Sequence, residues 1–293
     1  MSDILIVGSA GFTGANIANY MVQFSKYSVS SIDNLKEQNL HSLAPAMAAR
    51  NRHQFYLMDL NDFEMIDKVL DIERPKYIIY NALQDGKIDT TLLFNLLKKT
   101  LDKSNNYVEK VVVLSKDMYD YSNQNNYIEN SIANDLDVMR QLPDGKEFYY
   151  VKMCELIGQR QLPGSFIPDT ILASLSGKSI ESEDDLKREW IYIKDLFAGV
   201  LTLIESDLET GTYRVCSGLQ ASRKDISSYL SNVICGSEKS YTFESVMPDQ
   251  SFPNDKSYLP VKNMKFATSD NTLEGILEHV ACWYRDNRKA WGM

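Results

Sequence analysis

Histidine is scarce in this chain: His41, His53 and His279 are the only 3, and they are scattered. A histidine-based metal or catalytic centre therefore has little support, and surface or core places are expected for all three. Cysteine is also sparse. Cys154, Cys216, Cys235 and Cys282 lie far apart, each inside an apolar segment and without metal-type spacing, so reduced, buried thiols are expected and no metal site. Positive charge is in deficit, with 31 Lys+Arg against 40 Asp+Glu and a net charge of −9. The lack of a basic stripe to neutralise a phosphate backbone argues against a nucleic-acid partner, and none is expected. No apolar run reaches membrane-spanning length and no signal-peptide pattern opens the chain, so no membrane partner and a cytoplasmic location are expected. Internal repeats and low-complexity tails are missing too.

What is present begins at once. Ile4-Leu5-Ile6-Val7 is a short aliphatic run stopped by glycine, which reads as a buried strand entering a tight turn. Gly8-Ser9-Ala10-Gly11-Phe12-Thr13-Gly14 follows, and Ala15, Ile17, Ala18, Met21 and Val22 then recur at helical spacing. In such a strand, turn and helix, Gly8 permits the sharp turn, Gly11 lets a pyrophosphate approach the backbone, and Gly14 lets the helix lie close on the strand. The amides at the helix start then face the phosphates. A second strand, Ser28 to Ile32, ends in Asp33, whose carboxylate is placed to accept hydrogen bonds from an adenosine ribose and to repel a 2′-phosphate. The cofactor implied is NAD rather than NADP. The plainer alternative is a tight turn with a surface aspartate.

Strand and helix patterns keep alternating. A helix is expected around Leu40 to Ala49, then a strand His53 to Met58 ending in Asp59-Leu60, a helix Phe63 to Ile72 and a strand Tyr77 to Tyr80. A helix Thr90 to Leu101, a strand Val111 to Leu114, a helix Tyr127 to Leu142 and a strand Phe148 to Cys154 complete the first half. The pattern predicts an α/β fold, a Rossmann-like doubly wound parallel sheet with a smaller C-terminal substrate lobe. Ligands then belong at the strand carboxyl ends: Gly8, Asp33, Asp59, Asn81 to Leu83 and Ser115 to Asp117. Gly158 to Pro168, with its two prolines and two glycines, marks a crossing between lobes. Residues 1–160 are expected to form the NAD-binding domain and 161–293 mainly the substrate lobe, with about 188–206 returning to the first. Further on come a strand Arg188 to Ile193, a helix through Leu196 to Leu203, a strand Thr212 to Cys216 and a helix Ile226 to Ile234. Asn271, three residues before Glu274, is the expected cap of the last helix.

Gly-Ser-Ala-Gly-Phe-Thr-Gly at 8–14, Ile-Asp-Asn-Leu at 32–35, Arg-Glu-Trp-Ile-Tyr-Ile-Lys-Asp at 188–195 and Trp-Tyr-Arg-Asp-Asn-Arg at 283–288 resemble the extended short-chain dehydrogenases/reductases. Within them the chain is most similar to NAD-dependent nucleotide-sugar epimerases and dehydratases of the dTDP-glucose 4,6-dehydratase type. The resemblance implies that Gly8, Gly11, Phe12 and Gly14 hold the pyrophosphate, Asp33 the ribose, and Asp59 and Leu60 the adenine edge, with Ala10, Thr13, Asn34, Asn81 and Ala82 as further cofactor-binding residues. It also implies a nucleotide-diphosphate sugar as partner, met by Arg188 and Arg160, and a homodimer pairing the helices near 90–101 and 127–142. For Arg188 an ion pair with Glu189 or Asp195 is the alternative.

The catalytic positions depart from the resembled pattern. Enzymes of this kind use a tyrosinate to remove a hydroxyl proton, a lysine four residues later to lower its pKa, and a serine or threonine to orient the hydroxyl. Here Ser115-Lys116-Asp117-Met118 stands where the dehydratases have Ser-Thr-Asp-Glu. Phe148 and Lys152 have the tyrosine-lysine spacing, but Glu155 to Arg160 resembles the segment Asn-Asn-Tyr-Gly-Pro-Arg. The pair therefore falls one helix earlier, at Tyr127 and Ser131. Tyr127, Lys116, Ser115 and Asp117 are the catalytic candidates, with the Lys116 ammonium favouring the Tyr127 anion. The alternative is that Lys116 pairs with Asp117 or fills space. Two functions of different class stay open: an NAD-dependent oxidoreductase with an atypical site, and a catalytically impaired binding protein serving as scaffold or regulator.

Overall fold

The computed structural model describes residues 1–35, 40–81, 83–84, 87–88, 95, 98, 107–116, 146–178, 182–236, 261–265 and 272–287. Its centre is an eight-stranded sheet with every pairing parallel. In chain order the strands are β1 (Ile4–Val7), β2 (Val29–Asp33), β3 (His53–Leu57), β4 (Tyr77–Tyr80), β7 (Lys110–Lys116), β8 (Glu147–Met153), β11 (Gly211–Cys216) and β13 (Val261–Lys265). The intervening pairs β5 (Leu83–Gln84) and β6 (Lys87–Ile88) form a small hairpin, and β9 (Glu155–Ile157), β10 (Arg188–Tyr192) and β12 (Leu219–Ala221) a separate three-stranded sheet.

Across the large sheet the order is β13-β11-β8-β7-β4-β1-β2-β3. The chain winds outward from β1 to β3, returns to the other side of β1, and winds outward again. The reversal lies between β1 and β4, which is where a crevice opens beyond the carboxyl ends of a doubly wound sheet. Tyr56, Ile32, Val7, Tyr80, Val113 and Tyr150 stand in one register row, so Asp33, Gly8 and Asn81 all lie one step past it.

Both faces are apolar because alternate residues are. Ile4, Ile6, Ile79, Val112 and Leu114 belong to one buried cluster; Leu5, Val7, Ile78, Val111 and Val113 belong to the other. Strands covered on both sides need no polar alternation. The first face carries α1 (Phe12–Phe24) and α5 (Ile193–Glu205), the second α3 (Phe63–Glu73). Helix α1 is buried from Thr13 to Val22, which is why its apolar residues are not confined to one stripe. A short 3-10 turn, Leu40–Leu43, and α2 (Ala44–Ala48) cover its outer side.

The smaller lobe is built from the three-stranded sheet with α4 (Phe166–Leu175), α6 (Arg223–Cys235) and α7 (Leu273–Asp286), which pack on one another. Strands 211–216 and 261–265 belong to the large sheet, so the return beyond residue 160 extends past 188–206, and 188–192 itself lies in the small sheet. The two sheets are joined by a buried ion pair. Arg214 of β11 meets Glu189 of β10 at 2.5 Å, and Glu189 also accepts the Gly218 amide at 2.8 Å.

Several expectations are corrected. Thr272, not Asn271, caps α7, with its hydroxyl accepting from the Gly275 amide at 3.1 Å, because Leu273 is already buried as the first helical residue. Cys154 and Cys216 are buried thiols, but Cys235 and Cys282 sit on exposed helix faces. His53 is buried and bonded to Ser31 at 2.9 Å, while His41 and His279 are exposed.

Candidate functional site

The glycine turn is built by close approaches. Gly8 has φ +76, the left-handed region that glycine enters without penalty, and its amide donates to Ile32 O at 3.0 Å. A Cβ on Gly14 would stand 2.2 Å from the Gly8 carbonyl oxygen, so only glycine lets α1 start there. At Gly11 a Cβ would meet nothing nearer than that same oxygen at 3.9 Å, leaving the backbone open outward.

The start of α1 is chemically bare. Helices α3, α6 and α7 are capped by the side chains of Asp62, Ser222 and Thr272. Helix α1 has Gly11 at its N-cap, no side-chain cap and no acidic residue in its first turn. Its leading amides therefore keep unspent hydrogen-bonding capacity and the positive end of the helix dipole, the combination that receives phosphate.

Asp33 closes one side. It is buried to 8% exposure, and its two oxygens accept the amides of Ala10 and Leu35, both at 2.8 Å. The carboxylate is thereby fixed against the turn, with lone pairs left for a further donor. Asn81 closes the other. Its side-chain amide donates to Gly8 O at 3.3 Å, while its Oδ1 is buried and has no hydrogen-bond partner. A buried acceptor of this kind costs free energy unless a donor reaches it.

The remaining candidates fall as follows. Phe12 is half-buried and its ring edge reaches Gly158, where a Cβ would stand 3.1 Å from it; Thr13 is buried. Asn34 is half-buried beside Asp33. Asp59 is exposed and accepts the Asn61 amide at 3.0 Å, with Leu60 buried beneath it. Ser115 and Lys116 end β7, paired with Lys152 and Met153 of β8, which sets Ser115 at the carboxyl edge. Phe148 and Lys152 lie inside a central strand, buried, and so cannot be the helix-borne pair. Ala82, Asp117 and Tyr127, together with most of the expected helices at 90–101 and 127–142, lie outside the described residues.

Arg188 is paired with neither Glu189 nor Asp195. Its guanidinium bonds Asp184 at 2.8 Å and Leu186 O at 3.1 Å, because Glu189 is already taken by Arg214. Arg160, at φ +67, lies with its guanidinium 5.3 Å over the Trp283 ring, and burial lowers its pKa. Nearby is a group of residues that sequence reasoning missed: Asn16, Tyr20, Gln159 and Tyr192, joined by buried hydrogen bonds. Two asparagines inside the apolar face of α1, Asn16 and Asn19, were the available signal, since such side chains need partners in a core. Among the described residues no group of side chains could hold a metal ion, and no helix is long and apolar enough to cross a membrane.

A glycine turn at the topological reversal, an uncapped helix start and a carboxylate ending β2 define a dinucleotide-binding α/β protein. Residues 4–95 match the model of the NAD dependent epimerase/dehydratase family. The low-salt glycan biosynthesis protein Agl12 of Haloferax volcanii is 24% identical over 272 residues, covering 82% of this chain and 85% of that protein. The dTDP-glucose 4,6-dehydratase of Bacillus anthracis, solved in complex with NAD, superposes with a TM-score of 0.74 at 18% identity, covering 99% of this chain and 98% of that one. The UDP-glucose 4-epimerase of Thermotoga maritima, solved with UDP-glucose, gives 0.69 at 18% identity, covering 97% and 99%. Over nearly its whole length the chain thus shares the Rossmann-like α/β fold of these two enzymes.

Proposed function

We propose that the protein is an NAD-dependent oxidoreductase of the nucleotide-sugar epimerase/dehydratase type, cytoplasmic and homodimeric, acting on a nucleotide-diphosphate sugar. The carrying observation is the meeting at one sheet edge of the open α1 start, Asp33 bonded to the Ala10 amide, and the unpartnered Asn81 acceptor. These groups fit NAD: amides for the pyrophosphate, a carboxylate for the ribose and a buried acceptor for a donor on the cofactor's far side. When bound, NAD supplies the hydride acceptor. The protein's own part is to remove the hydroxyl proton of the sugar, assigned to Tyr127, with Ser115 orienting that hydroxyl and Lys116 and Asp117 setting the local charge. Arg188 and Arg160 are assigned to the substrate side.

A second reading is a catalytically impaired protein that holds NAD and a nucleotide sugar as scaffold or regulator. It is favoured by Lys116, Met118 and Ser131, which replace an orienting hydroxyl, a carboxylate base and a catalytic lysine of the resembled pattern. One experiment separates them. Mass spectrometry of small molecules released from the purified protein identifies cofactor and nucleotide, and incubation with dTDP-glucose or UDP-glucose follows. A 4-keto or epimerised product lost in Tyr127→Phe supports the enzyme, whereas bound NAD without turnover supports the second reading. Failure to bind NAD, as purified or on titration, sinks both.

A further inference from the structure

Gln159 stands where the chain leaves the first lobe, 5% exposed, and its carbonyl, Oε1 and Nε2 are all bonded. Its carbonyl accepts from the Asn16 side-chain amide at 2.9 Å, its Oε1 accepts from the Tyr20 hydroxyl at 3.2 Å, and its Nε2 donates to the Tyr192 hydroxyl at 3.0 Å. Asn16 and Tyr20 belong to α1; Tyr192 ends β10 and caps α5. The Asn16 amide also donates to the Phe12 carbonyl at 2.9 Å, which ties the same network to the glycine turn.

The residues around Gln159 are held from opposite sides. At Gly158 a Cβ would lie 2.4 Å from Ile193 Cγ2 and 3.1 Å from the Phe12 ring, so this backbone is seated directly against the turn. Arg160 lies over Trp283, and the Gln161 carbonyl accepts from the Tyr284 hydroxyl at 2.6 Å, which seats the following residues on α7. Tyr192 adds a second link to α7 through an edge contact with His279 at 6.2 Å. Burial raises the pKa of both Tyr20 and Tyr192, so these phenols stay neutral and keep their hydrogen bonds across the physiological range. Sliding 158–161 along α1 would break the Gln159 bonds together, which favours this one seating over a continuum even though Asn16 Oδ1 and Gln161 Oε1 are unpartnered in it.

We propose that Gln159 is a positioning residue that couples the dinucleotide turn to the smaller lobe, so that a nicotinamide dinucleotide and a nucleoside diphosphate bind more tightly together than apart. This rests on the proposed function. Each ligand stabilises the seating the other needs, and the gain is reciprocal.

Titration calorimetry on the full chain measures it. NAD is titrated with and without saturating UDP or dTDP into the unaltered protein, Gln159→Leu and Tyr20→Phe. The nucleotide is expected to tighten NAD about fivefold or more in the unaltered protein, the low end of common couplings. Gln159→Leu, which keeps the backbone bond to Asn16 but removes the side-chain bonds to Tyr20 and Tyr192, is expected to cut that factor to about half or less while changing affinity for NAD alone by less than about threefold, with Tyr20→Phe between. A factor of one in the unaltered protein overturns the proposal, as does an undiminished factor in Gln159→Leu. If Gln159→Leu does not fold, an undiminished factor in Tyr20→Phe overturns it. If NAD does not bind at all, the functional reading fails and the coupling with it; NAD that binds with a factor of one overturns the coupling alone.

Discussion

The two ends of the central sheet carry different kinds of polar group. At the amino end a groove of about 770 Å³ is lined by Lys26, Tyr77, Glu109, Lys110, Glu147 and Glu205. Much of its charge is already matched. Lys110 lies 2.9 Å from Glu147 and donates to Ser206 O at 2.6 Å, Lys76 meets Glu109 at 3.2 Å, and the Tyr149 hydroxyl donates to Glu147. At the carboxyl end a helix start goes uncapped and the Asn81 acceptor lacks a partner. The amino end is thus distinguished by matched charges, the carboxyl end by an open helix start with a buried acceptor beside it.

The sharpest break would come at Gly14. Gly14→Ala puts a methyl 2.2 Å from the Gly8 oxygen, so the turn must shift and NAD affinity is expected to fall by at least about 100-fold, read by titration. Next is Asp33→Ala, which removes a carboxylate bonded to Ala10 and Leu35. NAD is expected to weaken by about 10- to 100-fold while the gap to NADP narrows; an unchanged preference would show that Asp33 is not the discriminator.

At the amino end the expected loss is of stability, not of binding. His53 opens β3, and burial lowers its pKa to about 4 from 6.5. The unfolded chain thus takes up a proton that the folded chain refuses. Stability is unaffected by this group above about pH 6.5 and is lost as pH falls toward 4, by about 3 kcal/mol in all. Denaturant midpoints across that window should fall more steeply for the unaltered protein than for His53→Gln. The smallest effect is expected at Asn81→Ala, where NAD weakens about three- to tenfold while the melting temperature holds or rises, because an unpaired buried acceptor is removed. A cost in stability without one in binding would return Asn81 to a purely structural role.

How far the sequence revealed this arrangement depended on how local each signal was. The β1 run, the glycines and Asp33 act within about thirty residues of one another, and their spacing carries the geometry. The succession of strand and helix patterns likewise pointed to a sheet covered on both faces. Longer-range choices were hidden. Arg188 has acidic residues at positions 184, 189 and 195, and only the fold shows that Glu189 is occupied by Arg214, leaving Asp184. Thr272 and Asn271 are both competent caps, and the burial of Leu273 decided between them. Gln159 was masked by the resemblance itself, since the matching segment has proline at that place, a residue with no side-chain amide to suggest a hub.

The Glu189–Arg214 contact has a consequence for how the molecule comes apart. Its carboxylate and guanidinium are 2% and 8% exposed, and they sit on strands of different sheets. Peeling one lobe away would strand a lone charge in a dry interior, at about 3–5 kcal/mol. Heat should thus meet a single object, and a calorimetric scan should trace one endotherm where a two-lobed outline would suggest a pair.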